Sequence, residues 1–525
     1  MNDQVASSII RGRVLGLGHS HASVLVGLDA HAVRVEVAST RGPAFFQMVG
    51  LAEAAVRESR VRVTSALARM AVLLDEFAIT VNLAPADLRK SGAALDLAIS
   101  LGILAAIARL SAEALTQTLL LGELSLDGRL QPIRGVLPLL LGAKRDGFCQ
   151  AIVPWGNRAE AGLVDGIQAF VATDLASVIE HLTGKQTLPR PPQTHFSPSP
   201  IDCTLDLAVV RGQATARRSL EIAAAGHHNL LFVGPPGGGK TLLARTLPSI
   251  LPPLDFDEAL ELTAIHSVAG LVDADRGIVT QRPFRAPHHS VSEAGLVGGG
   301  DVPRPGEVSL SHHGVLFLDE FAEFRRPALE SLRQPLEDGI VQISRAKASS
   351  VFPARPLLVA AVNPCACGYF GHPVRPCRCS EVQRRRYLGR LSGPLLDRID
   401  LHCAVPPVDV LALSNGSAGE SSELVRQRVV CARDLQRERH ESRQVAATTN
   451  SMLSLVEAEV VTALPLGARR LLEQATQCLG LSARAYLRIL RVARTIADLE
   501  QSEKVGEVQV AEAIQGRLLD RETGI

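Results

Sequence analysis

Apolar and polar positions in the first third of the chain follow two different spacings. Residues 33–37, 78–83 and 151–153 are short runs of the alternating type and predict β-strands. Apolar runs at helical spacing lie between them, and the longest, residues 93–110, predicts a buried core helix. A mixture of both kinds of element indicates an α/β domain, which we assign to residues 1–183.

A proline-rich stretch interrupts this pattern. Residues 184–200 contain five prolines between positions 188 and 200. Proline lacks an amide donor and biases its neighbours away from helix, so the stretch is predicted to be a linker. Behind it, residues 230–233 and 315–318 are wholly apolar, which is typical of central parallel strands that are covered on both faces. We therefore expect a second α/β unit at residues 201–413.

Helical spacing dominates the C-terminal part of the chain. A polar break at residues 414–423 is followed by residues 424–439, 467–479 and 482–500, each of which has apolar side chains at helical intervals. No comparable strand pattern follows the break. We expect residues 414–525 to form a helical domain.

A glycine-rich loop follows the first wholly apolar strand. The loop and the start of the next helix match the pattern G-x-x-x-x-G-K-[ST] in full. Glycines let backbone N–H groups surround phosphates, and the N-terminus of the helix adds positive potential. The lysine of this pattern neutralises the β- and γ-phosphates, and the hydroxyl binds Mg²⁺. The residues predicted to bind ATP are Gly234, Pro235, Pro236, Gly237, Gly238, Gly239, Lys240 and Thr241, and Thr241 is also a predicted Mg²⁺ ligand.

Polar residues directly follow two other apolar strands. Asp319 is predicted to hold Mg²⁺ through water, and Glu320 to polarise the attacking water as a general base. Without the phosphate loop, a solvated strand end would explain this acidic pair equally well. Asn363 follows the apolar residues 357–362, where its amide is predicted to reach the γ-phosphate and the water. An Asn-Pro turn explains Asn363 just as well.

Composition narrows the class of protein. Hydrophobic residues make up 46% and charged residues 21%, which is ample for buried cores and argues against disorder. The net charge of +1 gives no global attraction to nucleic acid, so a polyanion site must come from local clusters. No apolar run is long enough for a membrane span, and the first residues lack a secretory signal pattern. We expect a cytoplasmic protein with no membrane contact.

Four of the nine cysteines are grouped within fifteen residues as two C-x-C pairs. Four thiolates can hold Zn²⁺ tetrahedrally, which makes Zn²⁺ a candidate cofactor beside ATP and Mg²⁺. The C-x-C spacing is tighter than the usual C-x2-C, and free thiols are the alternative. Disulfides are disfavoured in a reducing compartment. The candidate ligands are Cys365, Cys367, Cys377 and Cys379.

Six segments together resemble one known family. They are GPPGGGKT, RPFRAPHHSVSEAGLVGGG, LSHHGVLFLDE, VNPCACGYFGHP, LSGPLLDRIDLH and LSARAYLRILRVARTIADL. In order and spacing they resemble the bacterial magnesium-chelatase-like AAA+ proteins of the ComM/YifB type, along essentially the whole chain. The resemblance implies an AAA+ ATPase core with a C-terminal helical lid, assembled as a homohexamer. It implies a DNA motor or helicase that promotes branch migration of single-stranded or branched recombination intermediates in natural transformation. The alternative is a chelatase-like motor that remodels a protein partner.

The resemblance also assigns roles to two arginines. Arg398, in LLDRID, matches the arginine finger that reaches the γ-phosphate of a neighbouring subunit, which makes hydrolysis depend on assembly. Arg484, in LSARAYLRIL, matches the sensor arginine of the lid. From the residues alone, the favoured interpretation of both arginines is that they are ordinary surface charges on helices.

Two further segments match features of the family. Residues 338–356 resemble its β-hairpin, on which basic side chains would meet a DNA backbone in the ring channel; an exposed charged hairpin without a ligand is the alternative. The long connection between residues 263 and 313 resembles its pore-facing insert. His288 and His289 lie there, and we favour structural or pore-loop roles for them over metal binding. The predicted DNA contacts of the hairpin are Arg345, Lys347 and Arg355.

Part of the first domain resembles the protease domain of the Lon family, which uses a serine nucleophile and a lysine base. The segment KSGAALD places Ala94 at the serine position, and LQPIRGVL places Leu137 at the lysine position. Ser91 is nearby but out of register. Without nucleophile and base there is no proteolysis, so the resemblance predicts an inactive Lon-protease-like domain with a binding or assembly role.

Overall fold

Two α/β units followed by a helical domain make up the described part of the chain. The structure, a computed structural model, describes residues 14–51, 53–90, 92, 94–194, 196–197, 205–300, 303–345, 348–407 and 419–517. No helix in this part of the chain combines the length and the apolar character that crossing a membrane requires.

The first unit is built around a mixed sheet. Its elements are β1 (Val14–Val26), β2 (Asp29–Arg41), β3 (Phe45–Val49), α1 (Ala54–Arg69), β4 (Phe77–Ala84), α2 (Asp96–Ala106), β5 (Thr118–Leu120), β6 (Glu123–Leu124), β7 (Leu130–Gln131), α3 (Val136–Arg145), β8 (Gln150–Pro154), α4 (Arg158–Ala161), β9 (Gln168–Ala172) and α5 (Leu175–Leu182). Seven strands form the sheet in the order β3-β4-β2-β1-β5-β8-β9. The β1–β2 and β2–β4 pairs are antiparallel, and the other pairs are parallel.

Helix α2 forms the centre of this unit, where the sequence predicts a core helix. All but one of its residues are buried. The helix packs so closely on β1 that a Cβ added to Gly18 would lie 2.1 Å from the carbonyl oxygen of Gly102. Only glycine permits that approach. Asp96 begins the helix in a fully buried position, and its carboxylate accepts a 2.6 Å bond from Arg62, which compensates the buried charge.

The second unit is built around a parallel sheet. Its elements are α6 (Ala214–Gly226), β10 (Leu230–Val233), α7 (Lys240–Ile250), α8 (Phe256–Ala269), β11 (Phe284–Arg285), α9 (Glu293–Val297), β12 (Gly298–Gly299), β13 (Arg304–Pro305), α10 (Glu307–Leu310), β14 (Val315–Leu318), α11 (Arg326–Ser331), α12 (Arg333–Asp338), β15 (Ile340–Arg345), β16 (Ala348–Pro353), β17 (Leu357–Val362), α13 (Glu381–Leu388), α14 (Gly393–Leu396) and β18 (Leu401–Ala404). Five strands form the sheet in the order β11-β14-β17-β10-β18. Every residue of β14 and β17 is buried, as their wholly apolar sequences predict for strands covered on both faces.

The C-terminal domain is helical and is attached to one edge of this sheet. It consists of α15 (Ser422–Glu441), α16 (Leu455–Thr462), α17 (Leu466–Leu479), α18 (Ala483–Leu499) and α19 (Glu507–Gln515). The buried carboxylate of Asp498 binds Arg439 at 2.5 Å and Arg494 at 3.0 Å and thereby joins α15 to α18. Arg488 of α18 donates to Asp400, which immediately precedes β18. That contact fixes the start of α18 beside the amino-terminal ends of the parallel strands.

The first two units share a hydrophobic core. Apolar side chains of α3, β5, β8 and β9 pack in one cluster with those of α8 from the second unit. The buried carboxylate of Glu160 accepts the hydroxyl of Ser267, and Arg158 binds Asp275 at 2.5 Å across the same boundary. A continuous core of this kind holds the two units in one fixed arrangement.

The predicted proline-rich linker is docked over its described part. The backbone N–H of Val171 donates to the carbonyl of Pro189 at 3.0 Å, and Thr194 N donates to the carbonyl of Gly162 at 3.2 Å. Proline has no amide donor, but its carbonyl still accepts from a neighbouring strand. Residues 188–194 are therefore an extended segment bound to the first unit and not a free spacer.

Candidate functional site

The phosphate loop connects β10 to α7. Gly237 and Gly239 have φ values of +81° and +82°, a left-handed conformation that favours glycine. A Cβ added to Gly234 would lie 2.0 Å from the carbonyl oxygen of Val405, so no larger residue fits there. Helix α7 begins directly at Lys240. The loop thus lies at the N-terminus of a helix, where free N–H groups and the helix dipole attract anions.

Lys240 is the buried cation of this loop. Only 8% of the residue is exposed, and its Nζ donates to Gly234 O at 2.6 Å, Pro235 O at 3.0 Å and Asn363 Oδ1 at 3.1 Å. Burial lowers the pKa of Lys240, while the charge of Asp319 acts to raise it. These three bonds use the three donors of the ammonium group. The lysine is therefore held above the loop, where phosphate oxygens can replace the two loop carbonyls.

Asp319 joins the loop to the strand β14. Its Oδ2 accepts the hydroxyl of Thr241 at 2.8 Å, and its Oδ1 accepts the backbone N–H of Glu320 at 2.9 Å. A hydroxyl and a carboxylate together are oxygen donors of the kind that Mg²⁺ prefers. Because β10, β14 and β17 are parallel neighbours, the residues that follow them meet at one edge of the sheet. Thr241, Asp319 and Asn363 are brought together there.

Glu320 has a partner that the sequence analysis did not identify. Its Oε2 lies 3.1 Å from Nδ1 of His289, in the loop between β11 and α9. The sheet register explains the contact. Arg285 of β11 pairs with Leu316 of β14. His289 follows Arg285 by four positions, and Glu320 follows Leu316 by four positions. Only the pairing of β11 with β14 indicates that His289 and Glu320 meet, and the sequence does not reveal this pairing.

Arg398 lies at the opposite edge of the sheet. It precedes β18, which runs parallel to β10 with Leu401 beside Leu230 and Ala404 beside Val233. The four-residue strand separates Arg398 from the phosphate loop by about 13 Å, at about 3.3 Å per residue. Its guanidinium is buried and donates to the carboxylate of Glu337 and, at 2.7 Å, to the carbonyl of Pro394. Arg398 therefore does not reach the phosphate loop of its own chain.

Arg484 lies beside Arg398 and not beside the phosphate loop. Its Nη2 is 3.9 Å from Oε1 of Glu337, so one carboxylate faces both arginines. They line a cavity of about 380 Å³, whose wall carries seven arginines but only four carboxylates. This electropositive cavity fits a polyanion. Its arginines are Arg282, Arg355, Arg398, Arg433, Arg484, Arg488 and Arg491.

Three family models match the chain in succession. Residues 35–157 match "Subunit ChlI of Mg-chelatase", residues 206–413 match "Magnesium chelatase, subunit ChlI", and residues 419–517 match its C-terminal region. Full-length relatives extend the match. YifB of Salmonella typhimurium is 43% identical over 97% of this chain and 98% of its own length. The competence protein ComM of Haemophilus influenzae is 44% identical over 97% and 98%.

The chain belongs to the ComM/YifB family of magnesium-chelatase-like AAA+ proteins. The resemblance and the α/β fold class inferred from the sequence are thereby confirmed. Membership indicates an ATPase that uses ATP and Mg²⁺. A magnesium-chelatase 67 kDa subunit of Heliobacterium mobile is more distant, at 27% identity over 32% of this chain and 29% of its own length.

The hairpin of this ComM/YifB-type chain is formed by β15 and β16. Arg345 pairs with Ala348 at the turn, and Lys347 lies outside the described residues. Arg355 is separate from the turn: its backbone N–H donates to Nδ1 of His312 at 3.0 Å, and its side chain lines the arginine-rich cavity. Of the predicted DNA contacts in the described residues, Arg345 and Arg355 therefore lie at different parts of the hairpin. Arg355 belongs to the base of the hairpin.

The four clustered cysteines converge in space. Sγ of Cys365 lies 3.4 Å from that of Cys367 and 3.6 Å from that of Cys377, and Cys367 and Cys377 are 3.6 Å apart. All four sulfur atoms, including that of Cys379, lie within 4.8 Å of one another. None of the four is in a disulfide.

The Lon-like motifs of the first unit carry no nucleophile or base at the matched positions. Ala94 lines a cavity of about 400 Å³ next to the second unit, and the side chain of Leu137 is fully buried in the shared core. Lys90 is also fully buried, and its ammonium group donates to the carbonyl of Pro85. Ser91 lies outside the described residues. A methyl group and an isobutyl group cannot replace serine and lysine chemistry.

Proposed function

We propose that the protein hydrolyses ATP at the carboxyl edge of its five-stranded sheet. The observation that supports this most strongly is the direct contact of Lys240 with Asn363 and of Thr241 with Asp319, which links three neighbouring strands at one point. The loop N–H groups and Lys240 bind the phosphates. Thr241 and Asp319 would hold Mg²⁺, which when bound neutralises charge on the β- and γ-phosphates.

Glu320 and Asn363 act on the attacking water. The exposed carboxylate of Glu320 acts as a general base: it accepts the proton as water attacks the γ-phosphorus, while the bond from the γ-phosphorus to the β–γ bridging oxygen breaks and ADP leaves. The amide of Asn363, which is already fixed by Lys240, orients the γ-phosphate and the water. Fixed polar groups of this kind stabilise the transition state without reorganising during the reaction.

The arginines complete a neighbouring subunit's site. Arg398 and Arg484 lie together at the amino-terminal edge of the sheet, so a head-to-tail contact would bring the arginine-rich cavity against the phosphate loop of the next subunit. The carboxylate of Glu337 pairs with these arginines until a γ-phosphate displaces it. Repetition of this contact closes a ring, and we propose a homohexamer in the cytoplasm.

The motor acts on DNA and promotes branch migration of recombination intermediates in natural transformation. Support comes from the 44% identity to a competence protein over 97% of this chain, whereas a magnesium-chelatase 67 kDa subunit is 27% identical over 32% of it. Contact with the backbone of single-stranded or branched DNA is assigned to the hairpin turn around Arg345 and Lys347. Arg355 contributes to the arginine-rich cavity instead.

Reversal of the two charges at the hairpin turn tests the proposed DNA contact. We expect Arg345→Glu with Lys347→Glu to weaken binding to forked DNA and to abolish DNA-stimulated hydrolysis, while basal hydrolysis is retained. Each lost phosphate contact should reduce the dependence of log K on log salt by about 0.7 for single strands. Binding of forked and linear DNA is measured by gel shift over a salt series.

Lys504→Glu serves as the matched control, because Lys504 is an exposed cation in the C-terminal domain, on a different part of the chain. If both variants lose DNA binding equally, the hairpin has no special role. If the wild type binds no DNA and its hydrolysis responds only to a protein partner, the DNA motor is wrong and the protein-remodelling alternative holds.

Replacement of His289 tests the contact with the general base. His289 engages one oxygen of Glu320 and connects it to the segment preceding α9, in the insert that resembles a pore-facing element. We expect His289→Ala to raise basal hydrolysis several-fold and to reduce its stimulation by DNA, since a partly exposed pair with a carboxylate contributes up to about 1 kcal/mol. His288→Ala is the control, because His288 Nδ1 binds Ser290 instead. Equal rates for the two variants, with and without DNA, would contradict the role.

A further inference from the structure

The connection between β17 and α13 has no regular structure over eighteen residues, from 363 to 380. It also lacks a hydrophobic core of its own: Phe370 and Val374 are exposed, the latter to 83%. Long irregular connections in compact domains are either functional or held by additional constraints. Cys365, in contrast, is fully buried at the start of the segment. The four cysteines are therefore the feature around which this segment is organised.

The separations of the sulfur atoms match a metal site. Four sulfur atoms at about 2.3 Å from Zn²⁺ in a tetrahedron lie about 3.8 Å from one another. The Sγ separations of 3.4 to 3.6 Å among Cys365, Cys367 and Cys377 are close to that value. They are much longer than the roughly 2.05 Å of a disulfide. The backbone N–H of Cys379 donates to Sγ of Cys377 at 3.4 Å, a contact that orients this sulfur atom.

A second cluster, formed by Glu261, His312 and His313, contains residue types that can bind a metal ion, but its side chains form a hydrogen-bond network. Nε2 of His312 lies 3.1 Å from the carboxylate of Glu261, and His313 lies 3.0 Å from the same oxygen. However, Nδ1 of His312 accepts the N–H of Arg355, so the single proton of the neutral ring is on Nε2 and is donated to Glu261. Burial lowers the pKa of His312 to about 4, which keeps that ring neutral. A metal ion would have to displace this proton.

We propose that Cys365, Cys367, Cys377 and Cys379 bind one Zn²⁺ ion as thiolates, and that the ion fixes the segment against the phosphate loop. The thiols lose their protons on binding, and the ion supplies the cross-link that the segment's exposed apolar residues do not. The ion has a structural role, since all four tetrahedral positions are filled by protein.

The contact with the phosphate loop is made by Gly368, between the two cysteine pairs. A Cβ added to Gly368 would lie 2.8 Å from Cδ of Pro236, and its φ is +81°. The same segment begins at Asn363, which binds Lys240. Loss of the ion would therefore displace both the support of the loop and the amide that orients the γ-phosphate. This coupling rests on the proposed ATPase function, whereas zinc binding itself does not.

Zinc content is the first test. We expect the full-length protein, purified from zinc-supplemented medium, to contain one zinc ion per chain by mass spectrometry of the metal. Cys377→Ser with Cys379→Ser should reduce zinc at least about tenfold. Cys431→Ser with Cys478→Ser should not, because these cysteines are exposed elsewhere. Wild-type protein without zinc but with four titratable thiols in the cluster would overturn the site, as would a cysteine-to-serine double variant that keeps its zinc.

ATP affinity is the second test. We expect the zinc-free double variant, and wild type stripped by a zinc-selective chelator, to bind ATP about tenfold more weakly, since the phosphate loop loses the support that pre-organises it for binding. Re-addition of zinc should restore the stripped wild type. Cys379→His keeps four ligands and should retain both zinc and ATP affinity, which separates ligation from misfolding. Unchanged ATP affinity after zinc loss would overturn the coupling.

Lys240→Ala distinguishes a failure of this proposal from a failure of the proposed ATPase. That variant should keep its zinc while it loses ATP binding. If wild type holds zinc but binds no ATP, the metal site stands and the proposed ATPase function fails.

Discussion

Arg398→Ala is expected to lower kcat for ATP hydrolysis by about 10³-fold or more while ATP affinity stays almost unchanged. Arg398 lies at the opposite sheet edge from its own phosphate loop, so its removal leaves the nucleotide contacts of its own chain intact. An arginine finger stabilises charge that develops only in the transition state, which is why kcat falls and binding does not. Phosphate release and equilibrium binding of a fluorescent ATP analogue measure the two quantities separately.

Mixed rings test whether Arg398 acts between subunits. Arg398→Ala chains keep Glu320, and Glu320→Gln chains keep Arg398, so an equal mixture should regain activity at about a quarter of its head-to-tail interfaces. A mixture of Arg398→Ala with the double variant Arg398→Ala/Glu320→Gln has no complete interface and is the negative control. Arg437→Ala, an exposed arginine on α15, should hydrolyse ATP like wild type. No recovery at any mixing ratio would rule out action between subunits.

Lys240→Ala is expected to abolish detectable ATP binding and to reduce hydrolysis by at least about 100- to 1000-fold. The buried ammonium group is the only cation in contact with the loop carbonyls of Gly234 and Pro235 in the described part of the chain. Without it, the negative charge of the phosphates is bound by backbone N–H groups alone. Binding of a fluorescent ATP analogue and steady-state phosphate release provide the measurement.

Arg245→Ala is the matched control for Lys240→Ala. Arg245 is an exposed cation on the same helix α7, so its loss changes net charge equally without entering the loop. A thermal melt should show that both variants are folded. If Lys240→Ala turned over ATP like wild type, the assignment of the nucleotide site to this loop would be wrong.

The convergence of the predicted nucleotide-site residues at one edge of the sheet was predictable, because these residues are encoded in short contiguous stretches. The sequence places Lys240 and Thr241 directly behind β10, and Asp319 and Glu320 directly behind β14. Parallel strands place their carboxyl ends at one edge, so the sheet rule brings these residues together without further information. The observed contacts of Thr241 with Asp319 and of Lys240 with Asn363 agree with that expectation.

Contacts between residues that are distant in sequence could not be predicted in the same way. The pairing of His289 with Glu320 depends on the β11–β14 register, and β11 has only two residues and a weak strand signal. Glu337 is unremarkable in sequence, yet its carboxylate faces both Arg398 and Arg484. The arginine-rich cavity is assembled from separate helices and loops, so no local spacing reveals it.

The sequence also did not predict how the proline-rich segment and the second unit pack against the first unit. The prolines between residues 188 and 200 predict an extended linker, but in its described part the carbonyl of Pro189 accepts the backbone N–H of Val171 in the first unit. Apolar residues of α3 and α8 are equally compatible with two separate cores or with a shared one. Burial of apolar area favours the shared core, because hydrophobic association is non-directional and depends only on the area removed from water.

The sequence by itself determined the fold class, the phosphate loop, the carboxylate pair and the family, because each depends on side chains that are close along the chain. Only the tertiary structure decided that Arg398 and Arg484 face away from their own nucleotide site, that His289 contacts Glu320, and that the cysteine segment lies on the phosphate loop. The physical reason is that these contacts are set by strand order and helix packing, which join residues tens to hundreds of positions apart and leave no periodic pattern in the sequence.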